Sequence, residues 1–201
     1  MAAAAFLLFG GLTIIMLGGG MAGFDGAVRM AVHALAAPWL TTCVEAVTLF
    51  GSFGAIMVFG GIVLATLLRA GRRGDAKFIL FVVAGAVVVE NVVKFAIQRP
   101  RPPAFFGTDP MTFSYPSGHA FFSLCFYGSL VIIMGRRGAS RAVPWAVAVL
   151  VAAIGGTRIY LGVHYPSDVL AAYLLATAWL LAARAVFRTP TDLPDGALLR
   201  R

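Results

Sequence analysis

Long apolar segments separated by short clusters of charged residues are the main pattern of this sequence. Six segments carry few or no charges and are long enough to cross a bilayer, which takes about 20 helical residues: residues 2–24, 46–68, 78–98, 117–135, 142–163 and 166–187. The first can also be read as a signal peptide, but it has no basic N-terminal region and no clear cleavage site, so we expect a helix. The predicted fold class is all-α, a polytopic membrane protein with six transmembrane helices.

A weaker helical pattern lies between the first two segments. Asp25, Arg29 and His33 recur every four residues, and the positions between them are mostly apolar. A polar and an apolar face at helical spacing are typical of a short amphipathic helix, which we expect to lie at the membrane interface.

Composition supports a membrane protein. Of the 201 residues, 60% are hydrophobic and only 12% are charged, far from the average of soluble domains. Residues 1–188 are predicted to form one six-helix membrane domain and residues 189–201 a cytoplasmic tail. The net charge of +8 would suit a nucleic-acid partner, but the positions of the basic residues indicate membrane topology instead, and we expect no nucleic-acid binding.

The basic residues fall unequally on the two sides of the predicted helices. Lysine and arginine accumulate in cytoplasmic loops, and one side holds eleven of the sixteen: Arg69, Arg72, Arg73, Lys77, Arg136, Arg137, Arg141, Arg184, Arg188, Arg200 and Arg201. This bias predicts that both termini are cytoplasmic and that the loops at 99–116 and 163–166 face outward. We therefore expect a multi-pass protein of the cell (inner) membrane whose active site faces the periplasm or the extracytoplasmic side.

Polar residues near the outer helix ends are the candidates for chemistry, because ionisable side chains are costly inside a bilayer. The third helix ends with Lys94, Arg99 and Arg101, a cluster suited to an anion. Free N–H groups at a helix start bind phosphate, and the fourth helix opens with a proline, a serine, a glycine and a histidine: Pro116, Ser117, Gly118 and His119. Taken singly, these residues also fit a snorkelling lysine, arginines on lipid headgroups and a well-capped helix.

A third cluster joins the fifth and sixth helices. Arg158 lies near the end of the fifth, His164 precedes Pro166, and Asp168 follows in the first turn of the sixth. The carboxylate of Asp168 can reach one imidazole nitrogen and leave the other free as a nucleophile, although an acidic residue at a helix start also has a purely structural use. A structural explanation of all three clusters requires three coincidences on one membrane face, so we favour a phosphate site.

These residues resemble the motifs of the type 2 phosphatidic acid phosphatase superfamily, which are K-x6-R-P, P-S-G-H and S-R-x5-H-x3-D. Residues 94–102, 116–119 and 157–168 contain ten identities at the motif spacing, and the single departure is Thr157 for serine, which keeps the hydroxyl. Among the members of the superfamily, the chain is most similar to the bacterial branch of phosphatidylglycerophosphatase B and undecaprenyl-diphosphate phosphatase.

The resemblance implies a metal-independent phosphatase that forms a phosphohistidine and needs no cofactor. By that analogy His164 attacks phosphorus, Asp168 orients it, and His119 protonates the leaving oxygen. Five residues are implied to hold the phosphoryl oxygens: Lys94, Arg101, Ser117, Gly118 and Arg158. Because His119 must be protonated while His164 is neutral, we expect a bell-shaped dependence of rate on pH.

Three residues outside these assignments are weaker candidates. Arg99 is predicted to position substrate, whereas Glu90 and Tyr165 are expected to be structural. The sequence has no carboxylate cluster suited to Mg²⁺ or Zn²⁺, so we expect no metal site.

The expected substrate is a phosphate on a lipid headgroup whose tail stays in the bilayer. The sequence leaves open phosphatidylglycerol phosphate, phosphatidic acid and polyprenyl diphosphate, and it does not determine the oligomeric state. A phosphotransferase of the same superfamily, which would pass the phosphoryl group to a lipid or sugar hydroxyl, is one alternative. A small transporter of anions or lipids is another, but that reading gives no role to His119, His164 and Asp168.

Overall fold

The chain folds into a bundle of α-helices. The structure is a computed structural model that describes residues 1–107 and 112–187. This part of the chain contains eight helices and no strand: α1 (Ala2–Leu17), α2 (Ala22–His33), α3 (Pro38–Leu49), α4 (Phe53–Arg69), α5 (Arg73–Ile97), α6 (Gly118–Gly135), α7 (Ala142–Tyr160) and α8 (Pro166–Val186). The predicted all-α class is confirmed, and the predicted tail at 189–201 lies outside the described residues.

Four helices of the described chain, α5 to α8, are each long and apolar enough to span a membrane. The pairs α1 with α2 and α3 with α4 pass the same test jointly, but they are bent by 93° and 46°. The structure therefore supports four to six spans where the sequence predicted six. The predicted first helix at 2–24 is wrong beyond Leu17, because three glycines from Gly18 to Gly20 end α1, and Gly19 has a φ of +79°.

The predicted second helix at 46–68 is wrong as one continuous helix, since the chain breaks between Leu49 and Phe53, but residues 53–68 are helical in α4. Ser52 caps the new helix by accepting a hydrogen bond from the Ala55 N–H at 3.2 Å. Gly51 lies so close to α7 that a Cβ there would stand 2.3 Å from Ile154 Cγ2. The break thus brings the backbone against α7 at a point where only glycine fits.

Helix α6 lies at the centre of the bundle and contacts α4, α5, α7 and α8, while α8 also packs on α1. Small residues permit these close contacts, as they do between other membrane helices. Ala172 and Ala176 of α8 are fully buried, and Gly85 of α5 leaves the space that Trp179 fills. Large apolar side chains cover the outside of the bundle, among them Leu7, Trp39, Ile62, Trp145 and Val149.

Polar contacts hold together the end of the bundle that carries the basic loops. Asp75 accepts hydrogen bonds from Arg72 Nε and Nη2 and lies 3.5 Å from Arg136 Nη1, and Arg136 Nη2 donates to the Phe187 carbonyl at 2.9 Å. Helix α5 starts at this end, whereas Lys94 lies in its last turn. The motif residues and the basic loops are therefore at opposite ends of the helices.

The predicted amphipathic helix is present as α2, but its polar face contacts protein. Asp25 is only 1% exposed, whereas Phe24 and Met30 on the opposite side are 44% and 60% exposed. Arg29 donates hydrogen bonds to the carbonyls of Pro103 and Gly162. A helix surrounded by lipid turns its apolar side outward, so the charges of α2 point toward the other helices.

Candidate active site

Residues from all three motifs meet at the end of the bundle opposite the basic loops. The ring of His119, in the first turn of α6, lies within electrostatic reach of Arg158, His164, Arg101 and Lys94. These residues come from α5, α7 and the segments that precede α6 and α8. The fold thus brings together three clusters that are separated by up to 70 positions in sequence.

The short connection between α7 and α8 sets the direction of His164. Gly162 has a φ of +77°, and a Cβ there would stand 2.6 Å from Phe105 N, so the turn requires glycine. Asp168 fixes the start of α8 by accepting a hydrogen bond from the Tyr165 N–H at 2.8 Å. In this arrangement the same carboxylate oxygen, Oδ2, lies 3.4 Å from His164 Nδ1.

Arg101 is held against the other nitrogen of His164. Its guanidinium donates to the Thr112 carbonyl and hydroxyl and to the Val163 carbonyl, and Nη1 lies 3.0 Å from His164 Nε2. A guanidinium can only donate, so Nε2 accepts and the imidazole proton is assigned to Nδ1, facing Asp168. The Nε2 lone pair of His164 thus contacts a cation, and a bound phosphoryl group would take the place of this contact and pair with Arg101.

Burial keeps His164 neutral. Desolvation, as the largest effect, lowers the pKa of His164 from 6.5 to about 4, and the positive charges of Arg101 and Arg158 act in the same direction. The carboxylate of Asp168 opposes this shift. At neutral pH the imidazole thus keeps the lone pair that a nucleophile needs.

Buried donors without a partner line the same site. In residues 1–107 and 112–187, five buried side-chain polar atoms have no hydrogen-bond partner, and three belong to motif residues: Ser117 Oγ, Arg158 Nε and His164 Nδ1. The 3.4 Å contact of Nδ1 with Asp168 Oδ2 is an electrostatic contact and does not meet the geometry of a hydrogen bond. Such atoms are rare in folded proteins, because an unmade buried hydrogen bond costs about 1–3 kcal/mol. Arg158 is further held by its bond from Nη1 to Thr48 Oγ1 at 2.8 Å. A bound phosphoryl group would satisfy the Ser117 and Arg158 donors.

Lys94 and Gly118 form the side of the site next to α5. Lys94 Nζ makes a close ion pair with Glu90, whose carboxylate is buried. A Cβ on Gly118 would stand 3.1 Å from Glu90 Oε1, so a larger residue would crowd this contact at the start of α6. Glu90, predicted to be structural, is thus a direct neighbour of two motif residues.

Arg99 is turned toward carboxylates. Its Nη1 lies 2.6 Å from Asp168 Oδ1, its Nη2 lies 2.8 Å from Asp25 Oδ2, and its guanidinium stacks 4.0 Å from the centre of the Tyr165 ring. Burial lowers the pKa of Arg99, but the two carboxylates outweigh this effect and raise the pKa above its ordinary value. The role in substrate positioning stays a prediction, since both terminal nitrogens bind protein.

Several residues of this site are outside every motif, and sequence reasoning missed them. Ser114 donates a short hydrogen bond to Asp168 Oδ2, Ser167 binds Asp25, and Thr48 binds Arg158. For Asp25 the signal was its charge in an apolar region, which marks functional candidates in membranes. A single serine or threonine in an apolar helix carries no comparable signal.

A groove leads from Lys94 to the outer surface of the bundle. Its volume is about 580 Å³, and it is lined mainly by apolar and aromatic side chains from α4, α5, α6 and the segment before α6: Phe53, Val87, Glu90, Asn91, Lys94, Phe95, Thr112, Phe113 and Phe122. Phe53 and Phe95 at its edge are 50% and 62% exposed. The groove thus joins a cation of the site to a surface that suits lipid.

Two solved structures share this fold. The transmembrane PAP2-type phosphatidylglycerolphosphate phosphatase from Bacillus subtilis superposes with a TM-score of 0.81 at 24% identity, over 92% of this chain and 94% of that one. Aquifex aeolicus LpxE superposes with a TM-score of 0.66 at 19% identity, over 81% and 95% of the two chains. At these identities the likeness concerns the fold.

Sequence comparison identifies related proteins. The chain is 26% identical to phosphatidylglycerophosphatase B of Bacillus subtilis (strain 168), over 75% of this chain and 77% of that protein. It is 30% identical to undecaprenyl-diphosphatase of Sulfolobus acidocaldarius and to lipid A 1-phosphatase of Rhizobium johnstonii, over 56% and 55% of this chain. These matches span about half of each relative, 53% and 47%. The sequence profile of the PAP2 superfamily matches residues 75–192, more than half of the chain, and the chain therefore belongs to the PAP2 superfamily.

Proposed function

We propose that this chain is a membrane lipid phosphatase in which His164 forms a phosphohistidine. The observation that carries this proposal is the pair of contacts on the two nitrogens of His164. Arg101 Nη1 lies 3.0 Å from Nε2, and Asp168 Oδ2 lies 3.4 Å from Nδ1. Nε2 can thus form a bond to phosphorus next to a cation. On the other side of the ring, the carboxylate near Nδ1 stabilises the positive charge that the imidazole gains.

In the first step the phosphoryl oxygens bind the positive charges of Lys94, Arg101 and Arg158, with Ser117 and the Gly118 N–H as further donors. The Nε2 lone pair of His164 attacks phosphorus, and the bond between phosphorus and the lipid oxygen breaks. The imidazole becomes an imidazolium that carries the phosphoryl group, and the carboxylate of Asp168 stabilises its charge.

His119 serves both halves of the reaction. It donates a proton to the lipid oxygen that leaves in the first step. In the second step, water attacks phosphorus, His119 takes a proton from that water, and the bond between phosphorus and His164 Nε2 breaks. The products are inorganic phosphate and the remaining lipid, an alcohol from a monoester or a lipid monophosphate from a diphosphate, and both histidines return to their starting protonation states.

A lipid substrate is supported by the groove and by the relatives. The groove reaches from Lys94 past Phe53 and Phe95 to the outer surface, so an acyl or prenyl chain can stay in the bilayer while its phosphate binds the cations. The relatives' names specify a phosphatidylglycerophosphatase, an undecaprenyl-diphosphatase and a lipid A 1-phosphatase, each of which acts on a phosphate carried by a lipid.

Activity is expected to persist without metal, because three cationic side chains supply the positive charge that a metal would provide. The test is phosphate release in detergent micelles containing EDTA, from phosphatidylglycerol phosphate, phosphatidic acid and undecaprenyl diphosphate. At least one lipid should release phosphate at the same rate with and without the chelator. Loss of activity in EDTA with recovery in Mg²⁺ would contradict this. If a hydroxyl acceptor is present and the lipid is dephosphorylated without release of inorganic phosphate, the result would favour a phosphotransferase.

The pH dependence should show the lowered pKa of His164. Protonation removes the lone pair of Nε2, so kcat/KM should fall as the pH drops through about 4, the lowered pKa of His164. Between pH 4 and 6.5 the enzyme should stay active, although a histidine with the ordinary pKa of 6.5 would be at least half protonated there. In the substrate complex the bound phosphate favours the protonated form of His119, so kcat should fall at high pH when this proton is lost, which gives a bell shape. Measuring the pH profile of kcat/KM with two substrates whose phosphates have different pKa values separates titration of the substrate from titration of the enzyme. An acid limb centred at 6.5 or above would refute the assignment.

We further propose that the site faces the outside of the cell membrane and that both termini are cytoplasmic. The basic loops and the site lie at opposite ends of the helices, and basic loops are retained in the cytoplasm. In a Cys43→Ser background, single cysteines replace Pro103 near the site and Ser140 between α6 and α7. A membrane-impermeant maleimide should label position 103 in intact cells and position 140 only after lysis. The reverse pattern would contradict the orientation.

A further inference from the structure

Asp25 lies in the short helix α2 and contacts two neighbours of Asp168, the residues Arg99 and Ser167. Its carboxylate is 1% exposed and fully hydrogen-bonded: Oδ1 accepts from the Ser167 N–H at 2.9 Å, and Oδ2 accepts from Ser167 Oγ at 2.6 Å and from Arg99 Nη2 at 2.8 Å. These partners are 74 and 142 positions away in sequence. A buried carboxylate is costly unless it is paired in this way, and such residues in membrane proteins are commonly functional.

A single guanidinium joins Asp25 to Asp168. Arg99 binds Asp25 through Nη2, and through Nη1 it binds Asp168 Oδ1 at 2.6 Å and Ser167 Oγ at 2.8 Å. Ser167 donates its hydroxyl proton to Asp25 and accepts from Arg99, so every member of the group has a partner. The positive charge of Arg99 is therefore shared between two carboxylates, and only Asp168 lies next to His164.

We propose that Asp25 is a positioning residue that acts through Arg99 and Ser167 to keep the negative charge of Asp168 available to His164. The inference rests on the proposed phosphohistidine mechanism. If Asp25 lost its charge, Arg99 would neutralise Asp168 alone, and Asp168 would stabilise the phosphorylated imidazolium less. Loss of the Ser167 hydroxyl would act in the same direction, because Arg99 Nη1 would then bind Asp168 only.

Several charged and titratable groups face His164 from the elements around it. These are Asp168 on α8, Arg158 on α7, His119 on α6 and Arg101 in the segment after α5. Asp25 faces Arg99 from α2 and does not contact His164. Removal of its negative charge makes the imidazolium less favourable, so the acid limb of kcat/KM should move to lower pH.

Four variants test this inference, with phosphate release as the assay. Asp25→Asn removes the charge and keeps the shape, and Ser167→Ala removes the two hydrogen bonds of the hydroxyl, to Asp25 and from Arg99, without changing the charge of the group. Asp25→Glu keeps the charge. Asp75→Asn is the matched control, since Asp75 also pairs with arginines but lies at the opposite end of the bundle.

Asp25→Asn should lower kcat about tenfold, the lower end of the loss seen when a hydrogen-bond partner of a metal ligand is removed. KM should stay within about twofold of wild type, and the acid limb should lie at lower pH. Ser167→Ala should lower kcat and move the acid limb in the same directions, but by smaller amounts. Asp25→Glu should keep the acid limb at its wild-type position, and Asp75→Asn should change neither kcat nor the limb.

The inference is overturned if Asp25→Asn has the wild-type kcat and pH profile, or if Asp25→Asn and Asp25→Glu are equally impaired with unchanged acid limbs, which is the result of a purely structural role. If Asp25→Asn does not fold, Ser167→Ala decides, and a wild-type profile for that variant overturns the inference. An inactive wild-type protein would contradict the proposed function, whereas an active one with indifferent variants contradicts only the role of Asp25.

Discussion

Replacement of His164 by alanine should abolish phosphate release, with a fall in kcat on the order of 10⁴-fold or more. The variant loses the atom that forms the bond to phosphorus, and no other histidine takes its place against Arg101, whose Nη1 lies 3.0 Å from Nε2. Binding of the lipid should change much less, because the cations that hold the phosphate remain. The measurement is kcat and KM for the best substrate in detergent micelles.

The third histidine of the chain supplies a matched control. His33 lies in α2 and stacks on Phe105 at a ring distance of 3.9 Å, outside the group of motif residues. His33→Ala should keep kcat within a few-fold of wild type. More than 1% of wild-type activity in folded His164→Ala, with phosphate release that follows enzyme concentration, would exclude His164 as the nucleophile.

Substitution of Asp168 by asparagine should have the next largest effect, a loss of about 10³- to 10⁴-fold in kcat. The amide has the same shape but no charge, so it cannot stabilise the imidazolium that forms when His164 takes up phosphorus. It also leaves Arg99 with one carboxylate partner instead of two. The amide N–H group can face the Ser114 hydroxyl and the Tyr165 N–H, which are donors and now bind the Asp168 carboxylate. We therefore expect lower thermal stability as well.

A control variant and the temperature dependence of kcat distinguish a catalytic effect of Asp168→Asn from an effect on folding. Glu45→Gln removes an exposed carboxylate on α3 and should leave kcat and the melting temperature unchanged. In Asp168→Asn, the fall in kcat should persist at temperatures far below the melting temperature, where the protein is folded. Recovery of wild-type kcat at such temperatures would show that Asp168 contributes only to stability.

The helices that carry the motifs were predictable because their signals are local. The expected spans at 117–135, 142–163 and 166–187 agree with α6, α7 and α8 to within three residues. A proline opens α8, and charged loops bound the apolar runs on the other side. The membrane location followed from the apolar segments, and the resemblance to the superfamily motifs implied the phosphatase class. The comparisons confirm the superfamily and support both expectations.

The first half of the chain was less predictable because its helix breaks depend on packing. Residues 46–68 carry no charge, and the residues around Gly51 do not show by themselves that this glycine must approach Ile154 on α7. The contacts of Asp25 were not predictable either. Helical spacing shows that α2 has a polar face, but it does not show which part of the protein that face contacts. Only the fold shows that Asp25 meets Ser167, 142 positions away.

The stereochemical course at phosphorus distinguishes a phosphohistidine from direct attack of water on the lipid phosphate. A lipid thiophosphate monoester carrying ¹⁷O and ¹⁸O on phosphorus is hydrolysed by the wild-type protein in ordinary water, and the configuration of the released thiophosphate is determined. A phosphohistidine on His164 requires two in-line displacements, each with inversion, so the released thiophosphate should show net retention of configuration. Net inversion would show that water attacks the lipid phosphate directly, and would contradict a covalent intermediate on His164.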